Sequence, residues 1–83
     1  MAYKIAYKAS VQQDLRKLDK GEASRILNKL EKDLGKDPNI GQPLKGPFQG
    51  LFRYRVGDYR VIYTKTREGV LVLRIGHRRD VYR

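Results

Sequence analysis

Apolar and polar residues alternate through Phe52-Arg53-Tyr54-Arg55-Val56 and again through Tyr59-Arg60-Val61, a period of two that predicts a pair of β-strands. Gly57-Asp58 between them suits a two-residue hairpin turn with glycine in the first position. That turn sets Val56 against Tyr59, Arg55 against Arg60 and Tyr54 against Val61. Successive side chains on a strand point to opposite faces, so Phe52, Tyr54, Val56, Tyr59, Val61 and Tyr63 share one side. Arg53, Arg55 and Arg60 share the other. Like charges directly across a strand pair destabilise it. Arg55 facing Arg60 therefore reads as a face arranged for an anion.

The rest of the chain is organised around this hairpin. Tyr3, Ile5 and Tyr7 alternate with Lys4, Ala6 and Lys8, predicting a first strand with one buried face. Ser10 followed by Gln13 has capping-box spacing, and Val11, Leu15 and Leu18 continue at helical spacing over about residues 11–18. Asp19 and Glu22 repeat the cap. Ala23, Ile26, Leu27, Leu30 and Leu34 then form one stripe of a longer helix, with Gly35 placed to end it in a left-handed conformation. The short connection predicts an antiparallel helical hairpin. Residues 36–49, broken by Pro38, Gly41, Pro43, Gly46 and Pro47, read as a loop anchored by Leu44 and Phe48.

After the turn, a second hairpin strand covers residues 59–65 and a third covers 70–76. A three-residue loop over 67–69, with Gly69 at positive φ, pairs Val61 with Ile75 and Tyr63 with Leu73. Leu71, Leu73 and Ile75 then face the helices, while Arg74 and Arg78 join the arginine face. The closing residues, 75–83, lie across its end. The expected fold is α+β in one domain over residues 1–83. Its order is β-α-α-β-β-β, with the helices on one face of an antiparallel three-stranded meander.

Composition adds a direction. Nineteen Lys and Arg against 9 Asp and Glu give a net charge of +10, a balance suited to nucleic acid, an anionic membrane surface or an acidic protein. With 40% apolar residues the chain has enough for a small core, and disorder is rejected. There is no cysteine, hence no disulfide framework or thiolate chemistry. No apolar run has the length of a signal peptide or a membrane span, so a cytoplasmic protein without membrane association is expected. One histidine and scattered carboxylates give no ligand spacing, so neither a metal nor a cofactor is expected.

Lys45, Arg53, Arg55, Arg60, Arg74, His77, Arg78 and Tyr82 remain as candidates for chemistry. Arginine clamps phosphate and stabilises charge that grows in a transition state. RNA carries its own nucleophile in the 2′-OH, so its cleavage requires a base, an acid and cations on the phosphate. His77 has the ordinary pKa nearest neutrality, and Tyr82 transfers a proton if neighbouring arginines lower its pKa. A passive RNA-binding sheet face is the non-catalytic alternative.

Three segments carry a family resemblance across nearly the whole chain: Leu44-Lys45-Gly46, then Arg53-Tyr54-Arg55-Val56-Gly57-Asp58-Tyr59-Arg60-Val61-Ile62-Tyr63, then Ile75-Gly76-His77-Arg78-Arg79-Asp80-Val81-Tyr82. Together they resemble the RelE/ParE superfamily of toxins from bacterial and archaeal toxin–antitoxin pairs. The resemblance implies an endoribonuclease that cuts mRNA in the ribosomal A site, inhibits translation and is silenced in a hetero-oligomer by a RelB-like antitoxin. In that picture Arg60 and Arg78 hold the scissile phosphate, and Tyr82 stacks or assists proton transfer. With His77 these form the catalytic set; Lys45, Arg53, Arg55, Arg74 and Arg79 bind RNA. RelE-type members carry lysine on the first hairpin strand, where this chain has Arg53 and Arg55. Arginine is a poor base, which leaves His77 or Tyr82 for that role. The ParE branch implies the other activity, inhibition of DNA gyrase without RNA cleavage.

Overall fold

The computed structural model describes residues 3–77. In chain order these form β1 (Lys4–Tyr7), α1 (Ala9–Arg16), α2 (Lys20–Lys36), β2 (Gln42–Pro43), a 3-10 turn (Gly46–Phe48), β3 (Phe52–Val56), β4 (Tyr59–Lys65) and β5 (Gly69–His77). The five strands make one sheet in the order β1-β5-β4-β3-β2. β1 runs parallel to β5, and the other neighbours are antiparallel. The expected α+β order holds, with two departures in the sheet.

The first is in the loop. Gln42 and Pro43 pair with Arg53 and Phe52, adding a short edge strand where residues 36–49 read as irregular. Proline is tolerated at an edge because no neighbour needs its missing N–H. The loop is tied down from the core side by Tyr63, a fully buried side chain. Its hydroxyl donates to the Pro38 carbonyl at 2.8 Å and accepts from the Gly41 N–H at 3.0 Å. A Cβ on Gly41 would lie 2.3 Å from that hydroxyl, so glycine is required there. Burial raises the Tyr63 pKa and keeps the donor protonated.

The second departure changes the faces of β5. The Gly57-Asp58 hairpin has the expected register, with Gly57 at φ 60°. Val61 also meets Ile75 as expected. Tyr63, however, meets Val72 rather than Leu73, because a β-bulge falls between the Ile62–Arg74 and Tyr63–Val72 pairs. Thr66 N–H donates to Gly69 O at 2.9 Å, so the loop holds two residues, Arg67 and Glu68, instead of three. A shorter loop and one bulged residue together restore the Val61–Ile75 register. Val70, Val72 and Ile75 consequently enter the core, while Leu71 and Leu73 turn to the open face.

The core joins Val11 of α1 and Ile26, Leu30 and Leu34 of α2 to Val56, Val61, Tyr63, Val70, Val72 and Ile75. These are the stripes read from helical and strand periods, except in β5. Asp19 caps α2 as expected, its carboxylate accepting from Gly21 N–H at 3.1 Å. Ser10 caps nothing. Lys8 holds the N-cap position of α1, and the Ser10 hydroxyl donates to the Leu73 carbonyl at 3.3 Å. Nor does Gly35 end α2 in a left-handed turn. It stays helical and its carbonyl accepts from Tyr3 N–H at 2.8 Å, so the residue just before β1 supplies the partner that a glycine cap would otherwise provide.

Tyr54 links the sheet to α2 by donating its hydroxyl to Asp33. That hydrogen bond holds the Asp33 carboxyl below its ordinary value, with Lys29 assisting against burial. Burial and the same carboxylate push Tyr54 up to about 12. A depressed carboxylate contributes stability above its unfolded pKa and loses it as pH falls through the lower folded value. A raised tyrosine contributes stability below its unfolded pKa of 10.0 and loses it as pH rises through about 12. Tyr54→Phe is therefore expected to cost about 1 kcal/mol near neutral pH. Urea denaturation should show the gap to wild type closing at both acid and alkaline extremes.

Candidate functional site

The open face of the sheet is built by strand alternation. With Tyr54, Val56, Tyr59 and Val61 directed at the helices, Arg53 and Arg55 on β3 and Arg60 on β4 point away from them. Arg55 sits directly across from Arg60, as the hairpin turn dictates. Arg60 is half-buried and is paired on its other side with Gly76, which offers no side chain. One step along, Arg53, Ile62 and Arg74 form a row across β3, β4 and β5. Arg53 donates to the Gln42 carboxamide oxygen of the edge strand, which fixes it beside the row.

Arg74 is held at the β5 edge. β1 pairs with β5 only as far as Tyr7 and Val72, after which the chain turns into α1. The β5 edge beyond that point is closed by α1 itself. Asp14, buried to 9% exposure, accepts from Ile75 N–H at 3.0 Å and lies 3.6 Å from Arg74 Nε. Asp14→Ala would leave that N–H without its acceptor and release Arg74. The expected loss is about 2 kcal/mol by urea denaturation, with Asp14→Asn recovering part of it.

His77 is not brought to the arginine pair. Alternation beyond the bulge places Ile75 inward, Gly76 outward and His77 inward again. Its ring lies across from Tyr59 with centroids 6.0 Å apart in an edge contact, on the helix side. It shares a cleft of about 270 Å3 with Asp14, Lys17 and Leu18. Lys45 is exposed at the start of the 3-10 turn. Arg78, Arg79 and Tyr82, and the expectation that the closing segment crosses the arginine face, lie outside the described residues. Among the described residues no group of three or more His, Asp or Glu side chains is placed to hold a metal ion. No described helix is long and apolar enough to cross a membrane.

Two contributors escape a reading by strand parity alone. Gln42 lies in a two-residue strand without a legible period, and Asp14 reads as one more polar position on an amphipathic helix. Ile62 adds a third feature. It is only 5% exposed although it faces away from the helices.

A parallel N-terminal strand, two helices and an antiparallel meander with a basic open face together define the RelE/ParE type of toxin fold. The chain belongs to this superfamily: the family described as "ParE toxin of type II toxin-antitoxin system, parDE" matches residues 5–82. It is 33% identical over 86 residues to Toxin RelG of Mycobacterium tuberculosis (strain ATCC 25618 / H37Rv), covering 100% of this chain and 99% of that protein. Among solved structures it is similar to a chain of the RelBE2 toxin–antitoxin complex of M. tuberculosis, with a TM-score of 0.86 and 30% identity over 96% of this chain and 95% of that one. The archaeal RelE-RelB complex from Pyrococcus horikoshii OT3 contains a chain with a TM-score of 0.72 and 27% identity, covering 98% of this chain and 100% of that one. The protein is thus a toxin of the type II toxin–antitoxin class.

Proposed function

We propose that this toxin is a ribosome-dependent endoribonuclease that cleaves mRNA in the A site and so stops translation. The observation that carries the reading is Arg55 opposed to Arg60, a destabilising like-charge pair on a face with further arginines, turned away from the described helices. In the proposed reaction the 2′-oxygen attacks the adjacent phosphorus in line, the O2′–P bond forms and the P–O5′ bond breaks. The 2′-OH proton passes to a base, and the departing 5′-oxygen takes up a proton. No metal ion takes part in this scheme.

Arg60, with Arg78, holds the phosphate and offsets the charge that grows on its oxygens. Arg53 and Arg55 grip the backbone, with Lys45, Arg74 and Arg79 adding charge along the strand. Tyr82 is assigned to proton transfer or stacking from the resemblance. His77 acts in this scheme only if the bound RNA reaches the helix side of β5, so Tyr82 is the preferred base.

A RelB-like antitoxin is the proposed partner. Several solved relatives are RelBE complexes, and a surface of +10 suits an acidic segment. The second reading, gyrase inhibition, is favoured by the parDE description of the matching family. The full-length similarity to Toxin RelG and the opposed arginines favour RNA. Purified protein added to a cell-free translation reaction and to a gyrase supercoiling assay separates them. The nuclease reading predicts arrested translation with supercoiling unaffected. The reverse pattern would replace it with the gyrase reading.

A further inference from the structure

Asp14 has more acceptor capacity than the fold uses. It is only 9% exposed, yet it lines the cleft of about 270 Å3 between the end of α1 and β5. A carboxylate offers about four acceptor sites. Oδ2 takes the Ile75 N–H and stands beside Arg74 Nε. Oδ1 takes no hydrogen bond among the described residues and is not sealed from solvent. One acceptor is enough to close the β5 edge, so a carboxylate oxygen is left over for a ligand.

The other walls of the cleft narrow the choice of ligand. Lys17 and Arg74 bring cations, Tyr59 and His77 bring rings in edge contact, and Leu18 is aliphatic. A fitting ligand offers donors to Asp14, an acceptor to the cations and a flat face to the rings. The volume lies just below the roughly 300–1,000 Å3 of sites for drug-sized molecules, which suits a single ring system. An arginine or lysine from a protein partner would satisfy Asp14 but meet Lys17 and Arg74 as like charges. A phosphate would satisfy those cations but meet Asp14 as a like charge.

A nucleobase is neutral and flat, and single-stranded RNA is read by stacking on tyrosine or histidine together with hydrogen bonds to the base edge. Guanine sets two donors, N1–H and the N2 amino group, beside the O6 acceptor on one edge. Adenine and cytosine set one amino group beside a ring acceptor that a carboxylate repels. Uracil sets its one N–H between two carbonyls. The cleft also adjoins the arginine face: Gly76 lines it and is the register partner of Arg60, and His77 and Tyr59 pair one residue further, roughly 3.4 Å along the strands.

We propose that this cleft reads a guanine of the RNA strand that lies on the arginine face. Asp14 accepts from guanine N1–H and N2–H, Lys17 donates to O6, and the base stacks on His77. Arg74, at the boundary of cleft and open face, contacts the adjoining phosphate. The site rests on the nuclease reading above and adds base selectivity to it, with His77 as a stacking surface.

The test is binding of fluorescently labelled 2′-O-methyl heptanucleotides, which lack the nucleophile and are not cut. One is all uracil, one carries a single guanine, and one carries inosine, which lacks the N2 amino group, in its place. Wild type should bind the guanine heptamer about tenfold or more tightly than the all-uracil one, the size expected of hydrogen bonds to a charged group, and inosine should lose much of that gain. Asp14→Asn keeps an oxygen for the Ile75 N–H and turns an amide N–H2 toward the donors of guanine. It should bind guanine and uracil heptamers alike, with the uracil affinity unchanged. His77→Ala should weaken the guanine heptamer about fivefold or more, and His77→Phe should restore it. Equal, salt-dependent binding of all three heptamers by wild type would overturn the guanine site and leave the phosphate face standing. A guanine preference that survives in folded Asp14→Asn, or full affinity for inosine, would overturn it as well. Absence of binding to any heptamer at low salt would remove the nuclease reading's anionic ligand and the guanine site with it.

Discussion

Arg60→Ala is expected to slow cleavage of ribosome-bound mRNA by about a hundredfold or more, the size seen when one donor is removed from a charge-stabilising set. Arg60 is the arginine with the strongest geometric claim on the phosphate. It lies on a central strand, between Arg55 on one side and Gly76 on the other. Single-turnover cleavage rates at saturating ribosomes check the effect on chemistry directly. Arg55→Ala provides the opposing sign. Arg55 is exposed and its removal relieves a like-charge contact, so stability should rise by a few tenths of a kcal/mol while cleavage falls. A residue that served only the fold would lower both.

Gly69→Ala is expected to have the largest effect on stability, about 3 kcal/mol or more, the upper end for overpacking. Gly69 starts β5 and pairs in register with Lys4 of β1. A Cβ there would approach the Lys4 carbonyl oxygen to 2.2 Å and the Lys4 nitrogen to 2.7 Å. These are backbone atoms, so no side-chain rotation relieves the contact and β1 must move. Its parallel pairing with β5 and the Tyr3-to-Gly35 hydrogen bond would be lost together. For a domain of this size such a cost is a large share of total stability. Thermal melting of the purified variant checks it, and hydrogen exchange should show β1 amides losing protection first.

The arginine face was legible because two strong signals coincide there. Gly57-Asp58 sets the hairpin register, and strand alternation then sorts each residue to a face without reference to the rest of the fold. The α2 stripe was legible for the same kind of reason, since Ile26, Leu30 and Leu34 recur at helical spacing and all three are fully buried. β5 was not legible in the same way. Val70 through Ile75 is apolar at every position but Arg74, so alternation gives two consistent assignments. The choice depends on where the bulge falls, a feature fixed by α1. Ser10 binds the Leu73 carbonyl and Asp14 binds the Ile75 N–H, on either side of Arg74.

That long-range dependence also explains Ser10. Its spacing to Gln13 satisfies a local capping rule, but a tertiary carbonyl takes its proton. Gly35 tells the same story with the opposite group, a helix carbonyl satisfied by the N–H of Tyr3, far away in the chain. The position of His77 was in fact available from parity, because Ile75 inward makes His77 inward as well. The pKa argument for a catalytic histidine carries no information about which face it occupies.

In the proposed reaction the opposed arginines bind the scissile phosphate of ribosome-bound mRNA. Mapping of 5′ ends on a translated mRNA in a cell-free extract, with wild type and Arg60→Ala side by side, tests it most directly. Discrete cuts within A-site codons are expected for wild type, and their loss in a variant that melts at the wild-type temperature. Intact mRNA with wild-type protein, or cuts that persist unchanged with Arg60→Ala, would contradict it.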